Sequence, residues 1–272
     1  LRQGEATIDE PRVQELLTKY ESKLNFTANY KDALRNANTI FVCVDTPQGK
    51  EGGVDLTNFD NIIETIAGNL NCNARVQKYF EEHASHHVDV ISFPEFLSQG
   101  CALDNMEHPY RLVFGRKSKE QNPYIMEIVR AFAINKITPV MRTAPENAEL
   151  IKYASNCYLA MKISYINNIA QLCESVGADV EKIAEGMSYD PRIGSSFLKA
   201  GIGYGGSCFP KDTKGLNWIA EGNEVEVELI KSTIKINESQ VEFFLNKLYS
   251  RFTNIAKINV SVLGLSFKGG TE

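Results

Sequence analysis

Phe197-Leu-Lys-Ala-Gly-Ile-Gly-Tyr-Gly-Gly-Ser-Cys-Phe-Pro-Lys-Asp212 sets one cysteine between a glycine-rich run and two charged side chains. Without Cβ atoms, Gly201, Gly203, Gly205 and Gly206 can take positive φ and bring backbone N–H groups close to an anion. Cys208 is the candidate nucleophile, with Lys211 and Asp212 supplying a cation and a carboxylate within one turn of chain. Gly201-x-Gly203-x-x-Gly206 also matches a dinucleotide fingerprint, which requires a strand before it and a helix opening at its last glycine. Ser195–Ala200 has no β-branched run and Pro210 points to a constrained loop, so neither element is expected and the fingerprint is rejected. On these residues alone, the stretch reads equally as a nucleophile loop or as a surface loop with an inert thiol.

Working outward, Thr143-Ala-Pro-Glu146 reads as a capping box, opening a helix that can run to Val176 with Gly177 as its stop. Leu150, Ala154, Tyr158, Met161, Tyr165, Ile169, Leu172 and Val176 form one apolar stripe, and Leu159, Ile163, Ile166 and Ala170 a second. A helix of about 34 residues is ~50 Å long, and two apolar faces at that length predict packing between domains or subunits. A homodimer built on this helix is expected. Lys152 and Asn156 share the second face, four residues apart, where a snorkelling lysine and a polar patch are the plainer alternative.

The remaining chain predicts an α/β protein. Thr39–Val44, Val88–Ser92, Arg111–Gly115 and Ile258–Gly264 read as strands, the first as a buried parallel one. Thr7–Leu17, Asp32–Arg35, Asp60–Ala67, Ala74–Phe80, Asn122–Ala133, Asp179–Met187 and Thr213–Asn246 read as helical. Ligands of open α/β sheets bind outside the carboxyl ends of strands, which singles out Val44, Asp45, Thr46 and Pro47, although a plain turn fits them too. After the 88–92 strand, Pro94 fixes the backbone before Glu95, a suitable mounting for a general base.

Composition excludes several classes. The 272 residues carry a formal net charge of −5, with 43% hydrophobic and 23% charged side chains, so no nucleic-acid footprint or polybasic membrane patch is visible. No apolar run reaches membrane-spanning length. Six cysteines without paired spacing read as reduced thiols of a cytoplasmic protein. His83, His86 and His87 lack a cysteine partner and read as a solvated polar face, so no metal is expected.

Gly203 to Asp212 resembles the active-site signature of the UDP-glucose/GDP-mannose dehydrogenase family of NAD-dependent enzymes. Val42-Cys-Val-Asp-Thr-Pro47, Pro94-Glu-Phe-Leu97, Ala148-Glu-Leu-Ile-Lys152 with Asn156, and Gly264-Leu-Ser-Phe-Lys268 are similar to further family segments in the same order. The resemblance implies a partial Rossmann-like NAD-binding domain over 1–142, a central helical and dimerisation domain with the nucleophile loop over 143–255, and the first strand of a UDP-binding domain over 256–272. It implies oxidation of the C6 hydroxymethyl of UDP-glucose to the carboxylate through a thiohemiacetal and thioester on Cys208. Lys152, Asp212, Glu95 and Asn156 are the other implied catalytic residues. Glu95, Phe96, Leu97, Gln99, Lys152, Asn156, Arg192, Lys199, Gly203, Tyr204, Gly205, Phe267 and Lys268 are implied to meet the UDP-sugar, Arg192 in a neighbouring subunit. Val44, Asp45, Thr46, Pro47, Gln99 and Lys211 are implied to meet NAD.

Two departures stand out. Gln99 takes a place usually held by a second glutamate, and an amide cannot accept a proton there. The family also has a strand where this sequence passes from Asn73 to Ala74, which implies residues absent at that point, with further chain implied before Leu1 and after Glu272. Two other readings stay open: a dehydrogenase of another UDP-sugar, such as an N-acetylhexosamine, and a helical oligomerisation module without chemistry.

Overall fold

Leu112–Gly115 (β1) pairs in parallel with Val140–Thr143 (β2), Leu112 opposite Val140 and Gly115 opposite Thr143. The computed structural model describes residues 4–8, 10–44, 46–49, 52–53, 55–58, 77–78, 80–82, 87–118, 120–132, 138–252, 254–255 and 258–264. In chain order the helices are α1 (Val13–Tyr20), α2 (Tyr30–Leu34), α3 (Ala102–Glu107), α4 (Pro123–Phe132), α5 (Pro145–Val176), α6 (Val180–Ser188), α7 (Phe209–Gly222) and α8 (Glu228–Arg251). The described residues of Leu1–Thr46 and Asp55–Lys152 form one compact unit, and those of Pro47–Val54 and Tyr153–Leu265 a second.

In the first unit, β1 is buried along its whole length, as its apolar run predicts. Leu112, Phe114 and Ile125 of α4 make the core, joined by Ile91, Phe93, Ile128, Val129 and Phe132. Phe93 stacks on Phe114 with ring centroids 4.7 Å apart. Gly115 ends the strand where a Cβ would stand 2.6 Å from the Ala148 Cβ and 2.7 Å from the Pro145 Cα, so only glycine lets the strand approach the start of α5.

Several expected elements differ. Among the described residues 39–44 form no strand, and of 88–92 only Ser92 pairs, in an isolated antiparallel bridge to Gly115. A strand exists only where a neighbour accepts its ladder, and in 88–90 the Gln77 side chain takes that role: it accepts from Val90 N at 2.9 Å and donates to Val88 O at 3.0 Å. The first helix opens at Val13 rather than near Thr7, because Arg12 adopts a left-handed φ of 70° and Gln14 holds Gly4 and Ala6 by their backbone groups. β2 and α3 were not expected. The helices expected over 60–67 and 74–80 fall wholly or largely outside the described residues, as do His83 and His86.

In the second unit, α5 ends at Gly177 with φ 73°, as expected of an αL stop. Its start differs from a capping box: Pro145 is the first helical residue, Thr143 belongs to β2, and the Thr143 hydroxyl accepts from the Asn147 amide at 2.8 Å. Cys157, Ala160, Ser164, Ile166, Asn167 and Cys173 are its buried side. The Ser164 hydroxyl donates to Thr233 O of α8 at 2.9 Å. Asp179 caps α6 by accepting from Glu181 N at 2.8 Å. The helix expected over 213–246 is two: Glu224, at φ 58°, and the Asn223 amide donating to Ile219 O separate α7 from α8. Residues 258–264 form no strand with any described residue.

Candidate active site

Pro210 does not keep the nucleophile stretch in a loop; it sits in the first turn of α7, where its missing N–H costs nothing, and Cys208 is that helix's N-cap residue. A helix therefore does follow the glycines, while no strand precedes them, so the dinucleotide reading still fails. Cys208 is exposed, with the Ser207 hydroxyl 3.6 Å from its sulfur. One turn on, Asp212 is 3% exposed. Its carboxylate is fully engaged: Lys211 Nζ lies 2.9 Å from Oδ1, and Asn156 Nδ2 donates to Oδ2 at 2.5 Å. A buried carboxylate persists only when so paired. Beneath it, Cys157 donates to Asp212 O at 3.7 Å, and burial, followed by the Asp212 charge, pushes its thiol up to about 12. Of these two cysteines, Cys157 is kept protonated and shut away, and Cys208 is open to a ligand.

The glycine run is held from α5 and α8. Asn237 accepts from Tyr204 N at 2.7 Å and donates to Tyr204 O at 3.1 Å; Gln240 donates to Gly201 O and Asn167 accepts from Gly201 N, both at 2.8 Å. Gly203 has φ 120°, and a Cβ there would stand 2.7 Å from the Asn237 Oδ1, whereas positions 201 and 205 face open space. The Tyr204 ring meets Phe209 edge-on at 6.1 Å, and burial raises its hydroxyl pKa. Asn167, Asn237 and Gln240 escaped the sequence reading; their signal is polar residues on the apolar sides of helices, one turn apart in the case of 237 and 240.

The first unit carries the other set. Lys152 Nζ lies 2.5 Å from Glu95 Oε1 and 2.7 Å from Glu95 O. The second oxygen, Oε2, accepts from Leu97 N at 2.6 Å. Phe96 turns its face to the Arg111 guanidinium, 3.8 Å from the ring centroid, with Lys152 Nζ at 5.8 Å. Past Glu95, the Asn105 amide accepts from Ser98 N, and Glu10 accepts from Gly100 N and Ala102 N, so the turn bearing exposed Gln99 is anchored. Glu10 and Asn105 also went unnoticed in the sequence. Lys152 and Asn156 lie one turn apart on α5.

Arg192 is exposed and forked onto Asp190, with Nη2 to Oδ2 at 2.6 Å. Lys199 is exposed and lines a cavity of about 350 Å³ with Glu181, Glu185 and Leu198. Asp45, Phe267 and Lys268 lie outside the described residues. For NAD, the first unit offers the Thr46 hydroxyl and the Gln99 amide, neutral groups suited to ribose and carboxamide. The Phe41 ring, 6.4 Å from Phe93, sets the segment leading to Val44 beside the one leading to Gln99. In the second unit Pro47 is exposed and Lys211 adds a cation for a phosphate. Each unit by itself thus offers groups that suit part of a dinucleotide. Among the described residues no group of acids, histidines and cysteines is disposed to hold a metal, and no helix is long and apolar enough to cross a membrane.

Comparison with known proteins accords with this chemistry. Residues 146–239 match the central domain of the UDP-glucose/GDP-mannose dehydrogenase family, and residues 1–77 its NAD binding domain. The chain is 40% identical to UDP-glucose 6-dehydrogenase YwqF of Bacillus subtilis (strain 168), the match covering 100% of this chain and 65% of that protein. It is 35% identical to UDP-glucose 6-dehydrogenase of Rhizobium meliloti (strain 1021), covering 100% of this chain and 67% of the relative. The solved UDP-glucose dehydrogenase of Pyrobaculum islandicum superposes with a TM-score of 0.84 at 29% identity, over 92% of this chain and 62% of that one. The chain thus spans about two thirds of the length of the relatives it matches. A mixed α/β fold with a partial Rossmann-like region, a long central helix and a cysteine loop at a helix start accompanies these matches, and the chain belongs to the UDP-glucose/GDP-mannose dehydrogenase family.

Proposed function

We propose that the protein containing this chain is an NAD-dependent UDP-glucose 6-dehydrogenase that converts the C6 hydroxymethyl to a carboxylate with Cys208 as covalent nucleophile. The observation that carries this reading is Cys208, exposed at the start of α7 and followed one turn later by the buried Asp212, paired with Lys211 and Asn156. NAD, when bound, supplies the two-electron acceptor for each of two oxidations at C6, and Val44, Asp45, Thr46, Pro47, Gln99 and Lys211 would hold it. At the aldehyde stage the Cys208 sulfur bonds to C6, and the carbonyl oxygen takes up a proton to give a thiohemiacetal. The second oxidation leaves a thioester. Glu95 takes a proton from the attacking water, the C6–S bond breaks, and the Cys208 thiol returns as the acid leaves. Lys152 supplies positive charge to the developing oxyanion, and Asn156 and Asp212 orient the water. Phe96, Leu97, Lys199, Gly203, Tyr204, Gly205, Phe267 and Lys268 would meet the UDP-sugar in this reading.

We further propose a homodimer through α5, operating in the cytoplasm, with Arg192 completing the partner's substrate site. Its stripe is uncovered in the single chain: Tyr158 and Leu172 are each 57% exposed and Tyr165 47%, with Leu150 and Val176 also exposed. A row of this kind is seldom left open to water.

The test is to incubate the full-length protein with NAD and, separately, UDP-glucose, a UDP-N-acetylhexosamine and GDP-mannose, following NADH absorbance. Two NADH per UDP-glucose, with little from the others, is expected. Preference for the N-acetylhexosamine would overturn the substrate, and absence of NADH with every sugar would leave an oligomerisation module.

A further inference from the structure

We propose that Asn237 and Gln240 of α8, with Asn167 of α5, are positioning residues that preset the glycine run before any ligand arrives. The proposal rests on the reading of this run as the UDP-sugar side of the site. Four glycines in six residues give a segment with large conformational freedom, which a binding loop must lose before or during recognition. Here the loss is imposed from the helices behind it. The Asn237 amide presents its carbonyl to Tyr204 N–H and its N–H to Tyr204 C=O, the pairing a neighbouring β-strand would offer. Gly201 is held by both backbone groups: Asn167 accepts from its N–H, and Gln240, braced by Gln171 at 3.0 Å, donates to its carbonyl. Asn167 and Gln240 are almost wholly buried, so water does not compete for these bonds.

The clamp also reassigns one glycine. Gly203 faces Asn237 at 2.7 Å from a notional Cβ, so its lack of a side chain serves the clamp, while Gly201 and Gly205 keep open space on the side a ligand can use. The Tyr204 ring against Phe209 then carries the fixed geometry into the first turn of α7, directly after Cys208.

Asn237→Asp and Gln240→Glu keep side-chain shape but replace a donor with an oxygen facing a carbonyl. In the full-length protein each is expected to raise KM for UDP-glucose about tenfold, on the scale of one lost buried hydrogen bond, with KM for NAD unchanged. Amide hydrogen exchange, measured without ligands, is expected to quicken by a similar factor over residues 199–206 and not elsewhere. Ser164→Ala, which removes a buried α5–α8 bond one turn from Asn167 and Asn237 that does not touch the glycine run, is the control and should leave both readouts as they are. Wild-type KM and loop exchange in the two variants would overturn the clamp, as would exchange that quickens uniformly along the chain. Should Asn237→Asp not fold, Gln240→Glu and Gly203→Ala carry the same test. If no UDP-sugar is turned over, loop exchange alone decides: local quickening upholds the clamp while the dehydrogenase reading falls, and unchanged exchange removes the clamp.

Discussion

The segments that carry Glu95 and Cys208 are anchored by different chemistry. From Glu95 to Ala102 the backbone N–H groups turn to carboxylates and an amide at a half-open surface: Glu95 itself, Glu10 and Asn105. From Gly201 to Tyr204 they turn to amides on two packed helices, and Cys208 begins a third. The first region is built from chain outside the regular elements that borrows side chains to complete its hydrogen bonds. The second is built from helices that complete their own and have side chains to spare. The proposed roles accord with this difference, a nucleophile needing a fixed sulfur and a base tolerating a more exposed mounting: Glu95 is 53% exposed beside a Lys152 that is 19% exposed.

The two cysteines of the helical region give the largest test of this contrast. Cys208→Ser should lower acid formation by at least about a thousandfold, because an ester is a poor substitute for the thioester. Cys157→Ser should stay within about threefold of the parent, since its sulfur only braces the Asp212 carbonyl. NADH release together with product analysis distinguishes them, and steady turnover by the Cys208 variant would remove the covalent route.

Tyr165→Asp is expected to yield monomers in sedimentation and to depress activity about tenfold or more, because a charge set in an apolar interface leaves it unpaired. A monomer with full activity would refute both the interface and the shared use of Arg192.

In the first region, Glu10→Ala removes the acceptor for Gly100 N and Ala102 N at the start of α3. The expected cost is roughly 1–2 kcal/mol in urea unfolding, the worth of a helix cap. No loss would mean that water serves those groups equally well.

Cys157 gives a signature in alkali. Its thiol is raised from the ordinary 9.0 to about 12, so the stability it contributes is intact below 9 and falls away as pH rises toward 12. The parent should therefore lose up to about 1.4 kcal/mol per pH unit more than Cys157→Ala in that window. Parallel pH curves would show that burial does not hold the proton there.

The smallest effect is expected at Gln99. Gln99→Glu should alter turnover only a few-fold, shifting the pH profile if a second acid assists the reaction and leaving it in place if the amide is a binding contact.

By its own pattern the sequence determined the α-helical half. α5 with its glycine stop and the helix that follows Asp179 come from local rules, because a helix closes its hydrogen bonds within the segment that carries the signal. The Cys208 to Asp212 run was legible for the same reason: five contiguous residues within one turn. What only the tertiary structure decided is where extended chain finds partners. Residues 39–44 and 258–264 have strand composition yet pair with no strand in the described chain, and the Gln77 side chain takes the place of a strand beside 88–90, because a ladder belongs to two segments and neither contains it alone. The same holds for the clamp on the glycine run: Asn167, Asn237 and Gln240 meet Gly201 and Tyr204 across more than thirty residues of sequence, a juxtaposition set by helix packing that no local spacing encodes.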